Sequence, residues 1–250
     1  MANTNRKSGR RRRGAAVYAP VAALLVLFII IFGISVFFRV ERIEVTGNRR
    51  YTADEVISAS GIEMGDNLFF IDVDAAALRI RGAMPYVALV RIERRAPDSA
   101  IIAITESRAI AAVAEGGSFW KIDEKGRALE RTDFGGTAGL IRVTGFSPST
   151  PREGEQIEVE ESYETQKGFL LDVLSAIVSR GVAEDISNLD VANISAITFT
   201  YKGAVRVNIG GGDNAMYKLE QVFAQLEKGE PDFRGSVEIS KDGKIHVIPE

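Results

Sequence analysis

No charge interrupts the chain from Gly14 to Phe38, and after Arg39 the apolar positions break into short runs that alternate or recur at helical spacing. As a helix, Val17 to Phe38 would reach roughly 33 Å at about 1.5 Å per residue, enough for a bilayer core about 30 Å thick. Residues 15–38 therefore read as one transmembrane helix. Arg6, Lys7, Arg10, Arg11, Arg12 and Arg13 precede it. Cations flank the cytoplasmic side of a span and contact anionic lipid, so a basic tail, residues 1–14, is expected in the cytoplasm and the bulk of the chain beyond the membrane. A cleaved leader is the competing reading. Its apolar core is only about 7–15 residues and ends at a small-x-small site, which Phe37-Phe38-Arg39-Val40 does not supply.

Two units are predicted beyond the membrane, residues 39–107 and 108–250. In the first, Ile43 and Val45 alternate with charge as in a half-buried strand, and Gly47-Asn48 turns the chain. Thr52-Ala53-Asp54-Glu55 fits a capping box for a short helix ending before Gly61. Either Asp72 or Asp74 is placed to cap a second helix, running to Arg81 with Ala75, Leu78 and Ile80 inward. Two strands follow, "YVALVRIERR" and "SAIIAITES", joined at Ala96-Pro97-Asp98. The order is strand, helix, helix, strand, strand.

The second unit opens with the hairpin "GGSFWKIDEKGRALE", whose turn Asp123-Glu124-Lys125-Gly126 uses glycine for positive φ. A strand in "AGLIRVTGF" and a loop over 147–154 lead to a long helix from about Ser162 to Arg180. Phe169, Leu170, Val173, Leu174 and Ile177 form its inner stripe, and Gly181 ends it. Strands in "ISAITFTYKG" and "AVRVNIG" precede a helix carrying Met216, Leu219, Phe223 and Leu226 on one face. The last hairpin, "GSVEIS" and "KIHVIPE", turns at Lys241-Asp242-Gly243. The fold class is α+β: one N-terminal transmembrane helix, a β-α-α-β-β domain, then a mixed domain of antiparallel strands with two main helices.

Composition narrows the chemistry. The 250 residues carry a net charge of −3 and 46% hydrophobic residues, with no cysteine and a single histidine. Disulfides, thiolate nucleophiles and paired-histidine metal sites are unavailable, and His246, between Ile245 and Val247, reads as a solvent-facing or interface residue. The segment "NIGGGDNAMYK" joins a strand to a helix, where phosphate can meet a helix N-terminus. It lacks the G-x-x-x-x-G-K-[ST] spacing and reads as a flexible connection capped by Asp213. Asp72 with Asp74, and Asp123 with Glu124, sit at caps and turns rather than in the contrasting environments that acid–base catalysis needs. No catalytic residue, cofactor, metal or nucleic-acid partner is expected. What remains is backbone: a hairpin at the C-terminal end is expected either to leave a strand edge open to a partner or to lie inside the sheet.

The segments "VERIEVTGNRRYTADEVISASGIEMGDNLFFIDVD", "YVALVRIERRAPDSAIIAITESRAIAAV", "WKIDEKGRALE" and "LIRVTG", in this order after one anchor, resemble the FtsQ/DivIB family of bacterial cell-division proteins. The resemblance implies a POTRA domain followed by a β domain, and a non-catalytic scaffold of the divisome at the septum of the inner membrane. It implies that the last β-domain strands pair with FtsB/FtsL-type partners. By position these are Ser236, Val237, Glu238, Ile239, Ser240 and Lys241, then Lys244, Ile245, His246, Val247 and Ile248. The alternatives are a membrane-anchored POTRA protein of chaperone or transport type, a hydrolase and an extracytoplasmic sensor.

Overall fold

The computed structural model describes residues 12–228, 233–240 and 243–250. Arg10, Arg11, Lys241 and Asp242 lie outside them, as do the side chains of Arg12 and Arg13. The first described element is helix α1, Arg12–Phe37, whose Pro20–Phe37 portion is long and apolar enough to cross a membrane and has none of its length buried by the rest of the chain. Two units follow from the packing. One takes the chain through Ile80 together with Val90–Ile104, and the other takes Arg81–Leu89 and Thr105–Glu250.

The first unit takes β1 (Arg42–Thr46), α2 (Ala53–Ser60) and most of α3 (Val73–Ala83), β2 (Val87–Arg95) and β3 (Ser99–Glu106). β3 lies between β1 and β2, and β1 runs parallel to it. Ile43 and Val45 are half-buried and their neighbours exposed, as alternation requires. At the start of α2 the Thr52 hydroxyl accepts from Glu55 N–H (3.3 Å), while the Glu55 carboxylate accepts from Thr52 N–H (2.7 Å) and its hydroxyl (2.8 Å). The backbone bond, then the hydroxyl bond, hold the Glu55 carboxyl below its ordinary pKa. Asp72, not Asp74, caps α3, its Oδ1 accepting from Ala75 N–H (3.0 Å). The buried face of α3 is Ala76 and Ile80, and Leu78 stands 61% exposed. The expected stripe of Ala75, Leu78 and Ile80 is corrected by rotation. Ile80 is buried as expected, while Ala76 takes the inward position and Leu78 is left outside.

The second unit holds one sheet of nine strands: β4 (Ala111–Glu115), β5 (Ser118–Ile122), β6 (Ala128–Thr132), β7 (Ile141–Thr144), β8 (Ile186–Asp190), β9 (Ile197–Tyr201), β10 (Val205–Gly210), β11 (Gly235–Ile239) and β12 (Ile245–Pro249). Their order across the sheet is β12-β11-β10-β9-β8-β7-β4-β5-β6. It is mixed, since β4–β7, β7–β8 and β10–β11 are parallel and the other pairs antiparallel. Helices α4 (Glu164–Arg180) and α5 (Ala215–Leu226) pack on each other and close the core. From α4, Leu170, Val173, Leu174 and Ile177 are buried, and Gly181 terminates the helix in a left-handed conformation. α5 turns Ala215, Leu219, Val222 and Phe223 inward, and Phe223 meets Tyr201 (5.2 Å) and Phe199 (6.3 Å) of β9. Of the expected stripe, Leu219 and Phe223 are buried and Leu226 packs against the core, whereas Met216 is 44% exposed and Ala215 is buried in its stead.

Gly126 takes φ +77° in the β5–β6 turn, as its position demands. Asp123, only 2% exposed, organises that turn: its carboxylate accepts from Lys125 N–H (3.0 Å), Arg127 N–H (2.9 Å) and the Ser107 hydroxyl (2.8 Å). Arg127 in turn donates to Val87 O (2.8 Å) and Ser107 Oγ (3.2 Å).

Candidate partner-binding edge

Strand β12 is the outermost strand at one end of the nine-stranded sheet. Its route there is set by α5, which carries the chain from β10 across to β11. A parallel neighbour needs such a crossover, whereas the following antiparallel strand needs only a turn. In that turn Ser240 N–H and Oγ donate to Lys244 O (2.9 and 3.0 Å), and Gly243 N–H donates to Ser240 O (2.8 Å). The register of the pair is unbroken from Ile239↔Ile245 to Gly235↔Pro249.

These bonds fix which backbone groups are left at the edge. Lys244 O points toward β11, and Glu250 N–H, at the other end, donates to Arg234 O (3.2 Å). Strand backbone polar groups alternate sides with period two, so Lys244, His246, Ile248 and Glu250 turn theirs inward to β11. Ile245, Val247 and Pro249 turn theirs outward. The free margin thus offers the N–H groups of Ile245 and Val247 and the carbonyls of all three, with Pro249 lacking a donor. Among the described residues no strand pairs with it.

Side chains add chemistry to this margin. Val247 lies opposite Val237, which is buried, so the Val247 face continues the core face of the sheet. His246 and Ile248 lie on the other face, paired with Glu238 and Ser236. Val247 is 41% and Ile248 49% exposed, which leaves an apolar group on each face of one strand. Beside the turn a groove of about 630 Å³ is lined by Ile194, Asn208, Tyr217, Gln221, Ile239 and Gly243, among others.

The strand pairing divides the sequence-predicted set in two. Ser236, Val237, Glu238 and Ile239 belong to β11, whose backbone is used on one side by β10 and on the other by β12. Ser240 is spent on the turn, and Lys244 begins the edge segment that continues through Ile248. Residues near the groove that sequence reading passed over, Ile194 and Tyr217, stand 39% and 60% exposed. An aromatic residue at α5 spacing outside its buried stripe was the available signal.

The Gly-rich segment is a packing device. Phe169 of α4 occupies the space beside Gly212 that a side chain would need, since an added Cβ would lie 2.3 Å from its ring. Lys218 Nζ donates to Gly211 O (2.8 Å) and Asp213 Oδ1 (3.1 Å). The N-cap of α5 is Asn214, at φ +54°, and not Asp213 as expected.

The family model for the FtsQ-type POTRA domain matches residues 38–107. The Cell division protein FtsQ of Streptomyces venezuelae is 30% identical over 225 residues, covering 87% of this chain and 80% of that protein. The chain belongs to the FtsQ/DivIB family of cell division proteins. Relatives under both family names match: the DivIB of Clostridium tetani is 27% identical over 84% of this chain and 76% of its own length. The FtsQ of Syntrophotalea carbinolica is 29% identical over 76% and 67% respectively. The FtsQ-type POTRA match begins at residue 38, immediately after Pro20–Phe37, the one candidate membrane span among the described residues.

Proposed function

We propose that the protein is a non-catalytic, single-pass scaffold of the divisome, with residues 1–14 cytoplasmic and its POTRA domain (39–107) and β domain (108–250) on the far side of the inner membrane. In this reading β12 captures an extended segment of an FtsB/FtsL-type partner by strand addition, and the scaffold thereby links the division ring to septal peptidoglycan synthesis. The observation that carries the reading is the outer margin of β12, with two donors, three acceptors and Val247 and Ile248 exposed on its two faces. Main-chain pairing would provide affinity, and pockets for alternate side chains selectivity. The POTRA domain would recruit other division proteins.

Ile245→Pro removes one outward donor without touching the β11–β12 ladder and is expected to abolish capture of the partner's extracytoplasmic segment while membrane insertion persists. Ile239→Pro is a different lesion. Ile239 and Ile245 face each other, so the Ile239 backbone groups turn toward β10 and the change breaks an internal ladder. Undiminished pull-down by Ile245→Pro sinks strand addition. Depletion of the protein tests the division role: filaments with unconstricted septa support it, and normal division with impaired export favours a POTRA transport component.

A further inference from the structure

The first unit folds a loop back onto the end of α1. Leu68 N–H donates to Phe38 O, Val40 N–H to Asp66 O and Gly65 N–H to Val40 O, all at 2.8 Å. Asn67 Nδ2 donates to Ile34 O (3.1 Å), one helical turn inside the apolar span Pro20–Phe37. Residues 64–70 are therefore pinned at the level where the span ends.

The side chains at this level suit lipid better than water. Met64 is 65%, Phe69 53% and Phe70 80% exposed. Phe69 packs edge-on to Phe38 (4.8 Å), which packs edge-on to Phe37 (5.2 Å), so an aromatic run passes from the helix into the loop. Two of the nearby carboxylates are engaged by backbone: Asp66 Oδ2 accepts from Glu63 N–H (2.9 Å) and Asp72 Oδ1 from Ala75 N–H (3.0 Å). Aromatic side chains collect at the headgroup level of bilayers, and an apolar surface beside a span meets that region first.

We propose that the Met64–Phe70 loop is an interfacial anchor, seated in the headgroup region of the leaflet from which α1 emerges and fixing the first unit's angle to the membrane. The proposal rests on the reading of α1 as a membrane span. A second attachment beside the helix removes the free rotation that one tether would allow, so the first unit is held at a defined height.

The chain has no cysteine, so an introduced one is a unique spin-label site. Full-length Phe70→Cys and Met64→Cys, reconstituted in phosphatidylethanolamine–phosphatidylglycerol vesicles, are compared with Phe28→Cys in the span and Glu184→Cys in water. Collisions with a water-soluble nickel complex are expected to fall several-fold at residues 64 and 70 relative to 184, and collisions with oxygen to rise. A label at Phe70 as open to nickel as the one at Glu184, with Phe28 shielded, overturns the anchor. Nickel access at Phe28 overturns the span itself and the anchor with it. In the Met64→Cys background, Phe69→Ser with Phe70→Ser is expected to raise nickel access several-fold with Phe28→Cys unchanged. Unchanged shielding assigns the depth to the helix alone and also overturns the anchor.

Discussion

Val237 and Val247 face each other across β11 and β12, yet Val237 is fully enclosed and Val247 is 41% exposed. One strand's difference in position converts the same residue from core to margin. Val237→Ala is expected to lower stability by about 2 kcal/mol, the cost of lost burial and the cavity left behind. Val247→Ala is expected to change it by about 0.5 kcal/mol or less. Val247→Asp places a charge on the open face and is expected to abolish partner capture with little change in unfolding. Urea unfolding followed by pull-down separates the two, and capture by Val247→Asp at the level of the unsubstituted chain would remove this face from the interface.

The capping box of α2 predicts a local loss. Thr52→Ala deletes the hydroxyl that accepts from Glu55 N–H and donates to its carboxylate, and should destabilise α2 by about 1 kcal/mol. Glu55 sets the pH dependence. Its folded-state pKa is depressed, so its contribution is present above the unfolded-state pKa of an ordinary glutamate and disappears as pH falls through the lower folded-state value. Amide hydrogen exchange in α2 should therefore accelerate in acid in the unsubstituted chain and show a smaller acid response in Glu55→Gln. Equal acid responses would refute the box as the cause.

Asp123 and Arg127 make a third test. The carboxylate is 2% exposed and takes three hydrogen bonds, with Arg127 Nε 3.7 Å away. Asp123→Ala leaves the Arg127 guanidinium without its counter-charge and two turn N–H groups without their acceptor, a change that typically costs about 3–5 kcal/mol when a buried pair is broken. Asp123→Asn keeps an acceptor for Lys125 and Arg127 N–H and should cost clearly less. Thermal unfolding of the two variants checks the order; equal losses would mean that charge, not turn geometry, carries the effect.

Much of this architecture was legible in local chemistry. The Thr52–Glu55 box, the glycines after α2 and α4, the Asp123–Gly126 turn and the final hairpin all announce themselves through side chains that act on adjacent backbone. Two central strands did not. β4 reads Ala-Ala-Val-Ala-Glu and β8 Ile-Ser-Asn-Leu-Asp, compositions poor in strand-forming residues that tertiary burial overrides. Helix phase was only partly visible: Ala76 and Ala215 lie inward while the larger Leu78 and Met216 do not. For the edge, sequence order located the hairpin, but only the pairing of β10 with β11 assigns the margin to Ile245, Val247 and Pro249 rather than to Ser236–Ile239.

Gly235 decides whether that margin exists. Its φ is +142°, and a Cβ there would lie 2.2 Å from Ile248 O and 3.0 Å from Pro249 Cα, so β12 can close on β11 only because the side chain is missing. The obstructing atoms are backbone and cannot rotate aside. Gly235→Ala is expected to incur about 1–3 kcal/mol of backbone strain in addition to the clash, and the cheapest relief is for β12 to peel away, since among the described residues β11 is its one strand neighbour. Hydrogen exchange should then rise at His246 and Ile248, whose N–H groups face β11, while β9 and β10 keep their protection. Partner capture should fall in parallel although no edge residue has changed. Protection at Ile248 equal to that of the unsubstituted chain would show that the strands can absorb the methyl group, and capture should then survive as well.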